Sequence, residues 1–317
     1  TEEAPTTTTT QPPTTTTEAP PEVPQVWVSH GGNGTVIRLD PANGEVLAVV
    51  EVGGRPGRMA AGSGSLWVID CGSNSVHRID PNAAEVTATI TVGVFPFDID
   101  VNDTVAAVVN VGDGTLSRID TATNEVIATL EVEENPTGVA IGTYSVISSP
   151  GNLTRYDFEG NVLNGHDFGE TSEDVFWHND NLWAVHQQGG ISSYDPETMD
   201  VNRYDFETPT WMASPVGDYI GVPEPESNTL WYGDPSMDHP FEPLATIDDV
   251  SAVDGTDFGA FAINGNGDVF AFEWEVTGDL DRPLVGGDFW IANVGPGADW
   301  VEAFDTSQLQ FGINAEF

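Results

Sequence analysis

A pattern that restarts every 37 to 41 residues through most of its length constrains this chain more than any other feature. A short unit that cannot bury its own faces must stack against copies of itself. Three segments align position by position: VWVSHGGNGTVIRLDPANGEV (from 26), LWVIDCGSNSVHRIDPNAAEV (from 66) and VAAVVNVGDGTLSRIDTATNEV (from 105). With Trp27, Trp67, Ala107, Val146, Trp183, Ile220, Phe261 and Trp290 as markers, the intervals are 40, 40, 39, 37, 37, 41 and then 29 residues.

Each clear copy holds four short apolar runs separated by turn residues. In the second copy they are Leu66 to Asp70, Val76 to Asp80, Val86 to Val92 and Phe97 to Val101. The alternation Val86-Thr87-Ala88-Thr89-Ile90 suits a half-buried strand, and no segment shows helical periodicity. GDGT (112–115) and NGNGD (264–268) lack the alternating carboxylates and distal Glu of a calcium loop and read as type I′ hairpin turns. Four-stranded units of about 40 residues arranged around an axis form an all-β propeller of antiparallel blades. The intervals predict seven blades, with eight as the alternative. The short last interval predicts ring closure, a C-terminal strand completing the blade begun near Val26.

Residues 1–24, TEEAPTTTTTQPPTTTTEAPPEVP, hold ten Thr and six Pro with no aromatic or basic residue. Such a tract cannot offset its ordering entropy by burial and is expected to be a disordered stalk or linker before a propeller domain at 25–317. Thr/Pro spacers commonly separate an exported domain from its anchor, so an extracellular or cell-surface location is expected, with possible anchoring through the stalk. No apolar run approaches the roughly 20 residues of a membrane helix.

The chain carries 51 acidic and 8 basic residues, all eight of them Arg, for a formal charge of −43. Nucleic acid is excluded as a partner of the bulk surface, since no cationic patch exists to neutralise phosphates. The single cysteine, Cys71, rules out an intrachain disulfide and has no basic sequence neighbour to activate it.

The tetrapeptides WVSH (27–30), WVID (67–70), AVVN (107–110), WAVH (183–186), FAIN (261–264) and WIAN (290–293) recur at one place in the repeat. With the IRLDP and HRIDP strands that follow, they make the chain resemble the YVTN-repeat propeller family, the group that includes surface-layer and virginiamycin B lyase-like propellers. The resemblance implies a propeller over nearly all of 25–317, and either a surface binding scaffold or a lyase that uses a divalent ion with His and Glu. The late copies lack a WFTE-type repeat, and Glu224 in VPEPE is offset by one position, which counts against the lyase.

The residue three places after each marker falls on one rim: His30, Asp70, Asn110, Ser149, His186, Pro223, Asn264 and Asn293. A ring of imidazole, carboxylate, amide and hydroxyl at a channel mouth is a candidate ligand site, and His30, Asp70 and His186 are the candidate ligands of a divalent cation. The same residue types also end strands by bracing turns. Phe95 and Phe97 flank Pro96 in a loop matching GRPGR, where Arg55 and Arg58 are the densest positive charge and could hold an anion. The Trp markers read as packing between blades.

No GxSxG, phosphate loop or HExxH motif occurs. The sequence therefore favours a non-enzymatic scaffold binding a protein, glycan or small molecule at the channel mouth. The alternatives are a metal-assisted lyase or hydrolase and a self-assembling surface component. Repulsion among so many carboxylates weakens the compact state and is screened by salt. The melting temperature is accordingly expected to rise between low and molar salt, and a flat profile in calorimetry overturns that expectation.

Overall fold

The computed structural model describes residues 24–305, apart from 143, 196–197, 199, 217–218, 235–238, 257–258, 265, 274–290 and 295–297. Nearly all of the expected stalk, residues 1–23, lies outside the described residues. Strands β1 (Pro24–His30), β2 (Thr35–Leu39) and β3 (Val46–Glu51) open the first sheet. The second holds β4 (Pro56–Gly62), β5 (Ser65–Asp70), β6 (Ser75–Asp80) and β7 (Glu85–Thr91). The third holds β8 (Pro96–Val101), β9 (Val105–Asn110), β10 (Thr115–Asp120) and β11 (Glu125–Glu131). A wide fourth sheet runs through β12 (Gly138–Ile141), β13 (Ser145–Tyr156), β14 (Val162–His178), β15 (Asn181–His186), β16 (Ile191–Tyr194) and β17 (Val201–Tyr204). The fifth holds β18 (Ser214–Val216), β19 (Tyr219–Glu224), β20 (Thr229–Asp234) and β21 (His239–Thr246). The sixth holds β22 (Val250–Thr256), β23 (Gly259–Asn264), β24 (Asp268–Glu273) and β25 (Ile291–Asn293). The last strand, β26 (Ala298–Asp305), pairs antiparallel with β1 and becomes the inner strand of the first sheet.

Ring closure by a C-terminal strand is therefore as expected, but the seven-blade count is corrected: strand pairing gives six sheets, five of four strands and one of six. The cause is β14, whose residues 162–171 pair with β13 and whose residues 172–178 pair with β15. At the earlier corners the outer strands stop at Glu51, Thr91 and Glu131, and Pro56, Pro96 and Pro136, which cannot donate to a ladder, stand at or just before the start of the next inner strand. The corresponding stretch of β14, GHDFGETSED, contains no proline, and the strand runs on from one repeat into the next. The last restart, WIAN, is as expected not a full blade, but its expected part in ring closure is corrected: Ile291–Asn293 form the outermost strand of the sixth sheet, and β26 makes the closure.

Six sheets present seven inner strands, because the wide sheet supplies two. β26, β4, β8, β12, the second part of β14, β18 and β22 neighbour one another in that order and close on β26. Apolar clusters fill the gaps between consecutive repeats. Trp27 packs with Met59, Leu66 and Val68, Trp67 with Ile99, Ala106 and Val108, and Trp183 with Ala213, Ile220 and Val222. These three tryptophans are fully buried, as inter-blade packing requires; Trp290 lies outside the described residues. Val26 and Val28 meet Phe261, Ile263 and Val301 where the ring closes.

The RxD element of the third strand carries a second repeating contact. The Arg38 guanidinium donates to the Pro81 carbonyl (3.0 Å), that of Arg78 to the Thr121 carbonyl (2.5 Å), and that of Arg118 to the Phe158 carbonyl, each in the turn of the following repeat. Arg78 also reaches Ser63 O, Ser65 Oγ and Asn124 Oδ1 while lying 4.7 Å over the Trp67 ring. The aspartate two places later braces its own turn: Asp80 Oδ1 accepts from the Asn82 and Ala83 N–H groups, and Asp120 Oδ1 from Ala122 and Thr123. GDGT is not a type I′ turn: residues 111–114 form a four-residue loop ending on left-handed Gly114, as the matching loops end on Gly34 and Asn74, and NGNGD includes residue 265, outside the described residues. The type I′ pattern, two residues both at positive φ, occurs instead at Ser63–Gly64 between β4 and β5 and at Asn179–Asp180 between β14 and β15.

Replacing Arg78 by Met keeps the stem over Trp67 and deletes every donor to the next repeat. Its expected cost is about 2–3 kcal/mol in urea unfolding at fixed high salt. A loss below about 0.5 kcal/mol refutes the bolting role.

Candidate functional site

The inner strands surround an axial cavity of about 390 Å³. Its walls alternate apolar and acidic side chains, as in PFDIDV of β8, where Asp98 and Asp100 line it. Asp174, Asp254 and Glu302 join them, with Arg58 as the cationic member. Inner strands face the channel with an unpaired edge, and neighbouring carboxylates cover it. Asp98 Oδ2 accepts from the Val139 N–H (2.9 Å), Asp100 Oδ2 from Ile141 (2.7 Å) and Glu302 Oε1 from Ala61 (3.1 Å). Asp254 Oδ1 accepts from Ser214 Oγ at 2.7 Å.

Arg58 Nη1 lies 2.9 Å from Asp174 Oδ1 and 3.1 Å from Asp98 Oδ1, and its guanidinium lies 5.3 Å over the Phe97 ring. Burial works against the Arg58 charge, but Asp174 and Asp98 outweigh it and hold its proton more tightly than in water. For Asp174 burial dominates, opposed by Arg58 and reinforced by Asp98, and pushes the carboxyl well above the usual range. Burial likewise pushes Asp100 up to about 6, against the Ile141 and Val101 N–H groups that favour its charge.

Beside this channel, with Arg58 lining both, lies a second hollow of about 290 Å³. It sits on the rim where inner strands begin and second strands end. Arg55, Phe95, Phe97 and Trp211 line it. This mouth lies on the rim that the repeat alignment selects.

The ring residues are on that rim but do not line either cavity. His30, Asp70, Asn110, Ser149, His186 and Asn264 are all buried and hydrogen-bonded close to their own hairpins. His30 Nδ1 accepts from the Asn33 N–H (3.2 Å), and Ser149 Oγ donates to Glu133 (2.7 Å). Asn264 Oδ1 accepts from the Asn266 and Asp268 N–H groups. Asn110 Nδ2 donates to Thr115 and Ser117. His186 Nε2 meets Ser192 Oγ at 2.8 Å, and burial, with Arg203 adding, lowers its pKa to about 4. In the fifth sheet the ring position belongs to Glu224, not Pro223: Glu224 pairs with Thr229 as Asp70 pairs with Ser75. Glu224 accepts from Thr208 N, Ser227 Oγ and Trp231 Nε1. Asn293 ends the outermost strand β25, away from the mouth. His30, Asp70 and His186 belong to three different sheets, and among the described residues no three His, Cys, Asp or Glu side chains come together as a metal-holding group.

What several ring residues do is hold the mouth loops. Asp70 Oδ1 accepts from the Arg55 N–H (2.6 Å), fixing the loop that carries Arg55. That fit needs glycine at 54, which has φ +57° and where a Cβ would lie 1.9 Å from the Asp70 carboxylate. The His186 carbonyl accepts from Thr210 Oγ1 (3.0 Å), next to Trp211. Sequence reading missed the channel acids because a lone carboxylate in an apolar strand has no motif; the alternation in PFDIDV was the legible signal.

No protein-family model matches the chain, and no curated protein sequence does. Solved structures share its architecture. A chain of hydrazine synthase from Kuenenia stuttgartiensis superposes with a TM-score of 0.71 at 16% identity, covering 80% of this chain and 93% of that one. The computationally designed Ika8 protein gives 0.62 at 11% identity, over 87% and 86%. The Pan2 WD40 domain of Neurospora crassa gives 0.62 at 10%, over 77% and 80%.

The chain is a β-propeller.

At these identities the likeness describes the fold of this propeller and not its chemistry. A folded-state pKa raised from 3.8 to about 6 means that the contribution of Asp100 to stability is full below about pH 4 and is lost as pH rises through about 6. His186 acts with the opposite sign, losing its contribution as pH falls from 6.5 towards 4. Asp100→Asn is therefore expected to gain stability relative to the wild type between pH 4 and pH 7. The gain is about 1–2 kcal/mol, because the carboxyl faces an open channel that screens it. A difference independent of pH in urea titrations contradicts the assignment.

Proposed function

We propose that this propeller is an exported or cell-surface binding scaffold without catalytic activity, whose ligand site is the channel mouth lined by Arg55, Phe95, Phe97 and Trp211. One observation carries the reading: side chains able to contact a ligand sit on loops locked by buried hydrogen bonds from Asp70 and the β15–β16 hairpin. Rigid scaffolds that display exposed groups on braced loops are built to bind. A propeller scaffold fits an interaction role, and the fold is shared with the WD40 domain of Pan2. The recurring WVSH and WVID units favour kinship with the YVTN-repeat surface propellers, and the Thr/Pro tract at 1–24 supports display outside the cell.

A second reading, self-assembly, is favoured by exposed apolar residues near the starts of the outer strands: Val46, Leu47, Val49, Ile127, Val162 and Leu163. Outer strands have an open edge that another chain can pair with.

The test is a thermal-shift panel of glycans and small molecules of every charge, at fixed molar salt, on wild type and Gly57→Leu. A Cβ at Gly57 meets nothing nearer than the Ile69 side chain at 3.6 Å, so leucine fills the hollow without backbone strain. At least one ligand is expected to raise the wild-type melting temperature, to lose that effect in Gly57→Leu, and to be recovered unchanged by mass spectrometry. A converted ligand makes the protein an enzyme, and a shift that survives the plug moves the site elsewhere. Sedimentation of the same sample shows whether it is monomeric, and a concentration-dependent oligomer supports the second reading.

A further inference from the structure

Guanidinium groups are scarce in this chain, and all but one of those described are committed within the fold. Arg38, Arg78 and Arg118 reach the turns of the next repeat. Arg58 pairs with Asp98 and Asp174, Arg203 with Glu170 and Asp205, and Arg155 lies over the Tyr144 ring. Arg55 is exposed, and its side chain has no partner among the described residues. In a protein with 51 acidic residues, a guanidinium held on a fixed loop and engaged by none of the described carboxylates is positioned for an anion that is not part of the chain.

Beside it, Phe95 and Trp211 are 43% and 44% exposed, whereas Trp27, Trp67 and Trp183 are fully buried. Phe95 also has φ +55°, a left-handed backbone in which a bulky side chain carries a steric cost. The third repeat uses Asn135 in this loop position, also at φ +55°, and asparagine tolerates that region. The strained conformation is enforced by two hydrogen bonds, Phe95 N–H to Asn74 Oδ1 (2.9 Å) and Val111 N–H to the Phe95 carbonyl (3.0 Å). A costly aromatic ring kept on the surface, where a cheaper residue satisfies the same turn, points to a contact made by the ring itself.

We propose that the mouth binds a ligand bearing a carboxylate on a flat, C–H-rich ring, with the carboxylate on Arg55 and the ring against Phe95 and Trp211. The inference rests on the channel-mouth reading above and specifies its chemistry. A hollow of about 290 Å³ has room for one or two rings. Aromatic acids and acidic sugars share this chemistry: both present a face that stacks on an aromatic ring and a carboxylate that takes a guanidinium.

The experiment is isothermal titration at fixed molar salt with 2-naphthoate and with a glucuronate-containing disaccharide, each beside its uncharged amide. One acid at least is expected to bind saturably at a single site, and its amide about tenfold more weakly. Arg55→Gln is expected to bring the same tenfold loss with an unchanged melting temperature, since Arg55 has no internal partner to lose. Phe95→Asn is expected to weaken binding while leaving the melting temperature equal or higher, an outcome that a merely structural phenylalanine does not give. Which acid binds separates the two sources. If neither binds, if the amides bind equally well, or if Arg55→Gln binds like wild type, the proposal is overturned. In the first two cases a neutral or cationic ligand that Gly57→Leu abolishes leaves the scaffold reading standing. An acid that binds equally to wild type, Arg55→Gln and Gly57→Leu overturns both.

Discussion

Closure of the ring is the constraint on which the remaining structure depends. Each repeat has two apolar faces that can be covered only by its neighbours, so a row of such units has two exposed ends unless they meet. The chain joins its ends by hydrogen bonds, pairing β26 with β1 from Pro24–Asp305 to His30–Ala298. The same contact buries Val26 and Val28 against Val301 and the residues of β23. Once the ring is closed, every inter-repeat core is enclosed on both sides, and the edges left are the outer strands and the inner strands facing the axis.

Those two kinds of edge are treated differently. The inner edges take carboxylates: Asp98, Asp100 and Glu302 each accept an N–H from the next inner strand, so the acids along the channel are in part structural. Between the edges, the arginines of β2, β6 and β10 tie each repeat to the turn of its successor, and Arg78 adds a face over Trp67. Three of the few basic residues, Arg38, Arg78 and Arg118, are thus spent on joints between repeats. Within this allocation Arg55 stands apart, and so does the mouth that it lines.

The candidate site shows how a repeat becomes specific. The residues at the ends of the second strands look like a ligand ring in the alignment, yet their side chains turn into the loops beside them, where Asp70 alone accepts from Gly72 and Ser73 of its own hairpin and from Arg55 of the preceding corner. Their regular recurrence reflects turn bracing. The groups that face the mouth vary from repeat to repeat, Arg55 in one loop, Phe95 in the next and Trp211 in a later one. Variation on a uniform frame is where a binding surface resides.

The sequence by itself determined the repeat, the four-strand unit, the burial of Trp27, Trp67 and Trp183, the closing strand and the rim that carries the mouth. All of these depend on local periodicity or on turn residues at fixed offsets, which the order of amino acids records directly. Tertiary structure decided the rest. Without a proline at its corner, β14 continues through two repeats and makes six sheets of the seven expected blades, a property of hydrogen bonding across strands. Glu224 replaces Pro223 because register is set by the partner strand and not by spacing from a marker. Whether His30 and His186 meet, and which acids reach the axis, depends on side-chain direction in a closed ring. No pattern along one strand specifies that, since the neighbours that settle it lie about 40 residues away in the chain.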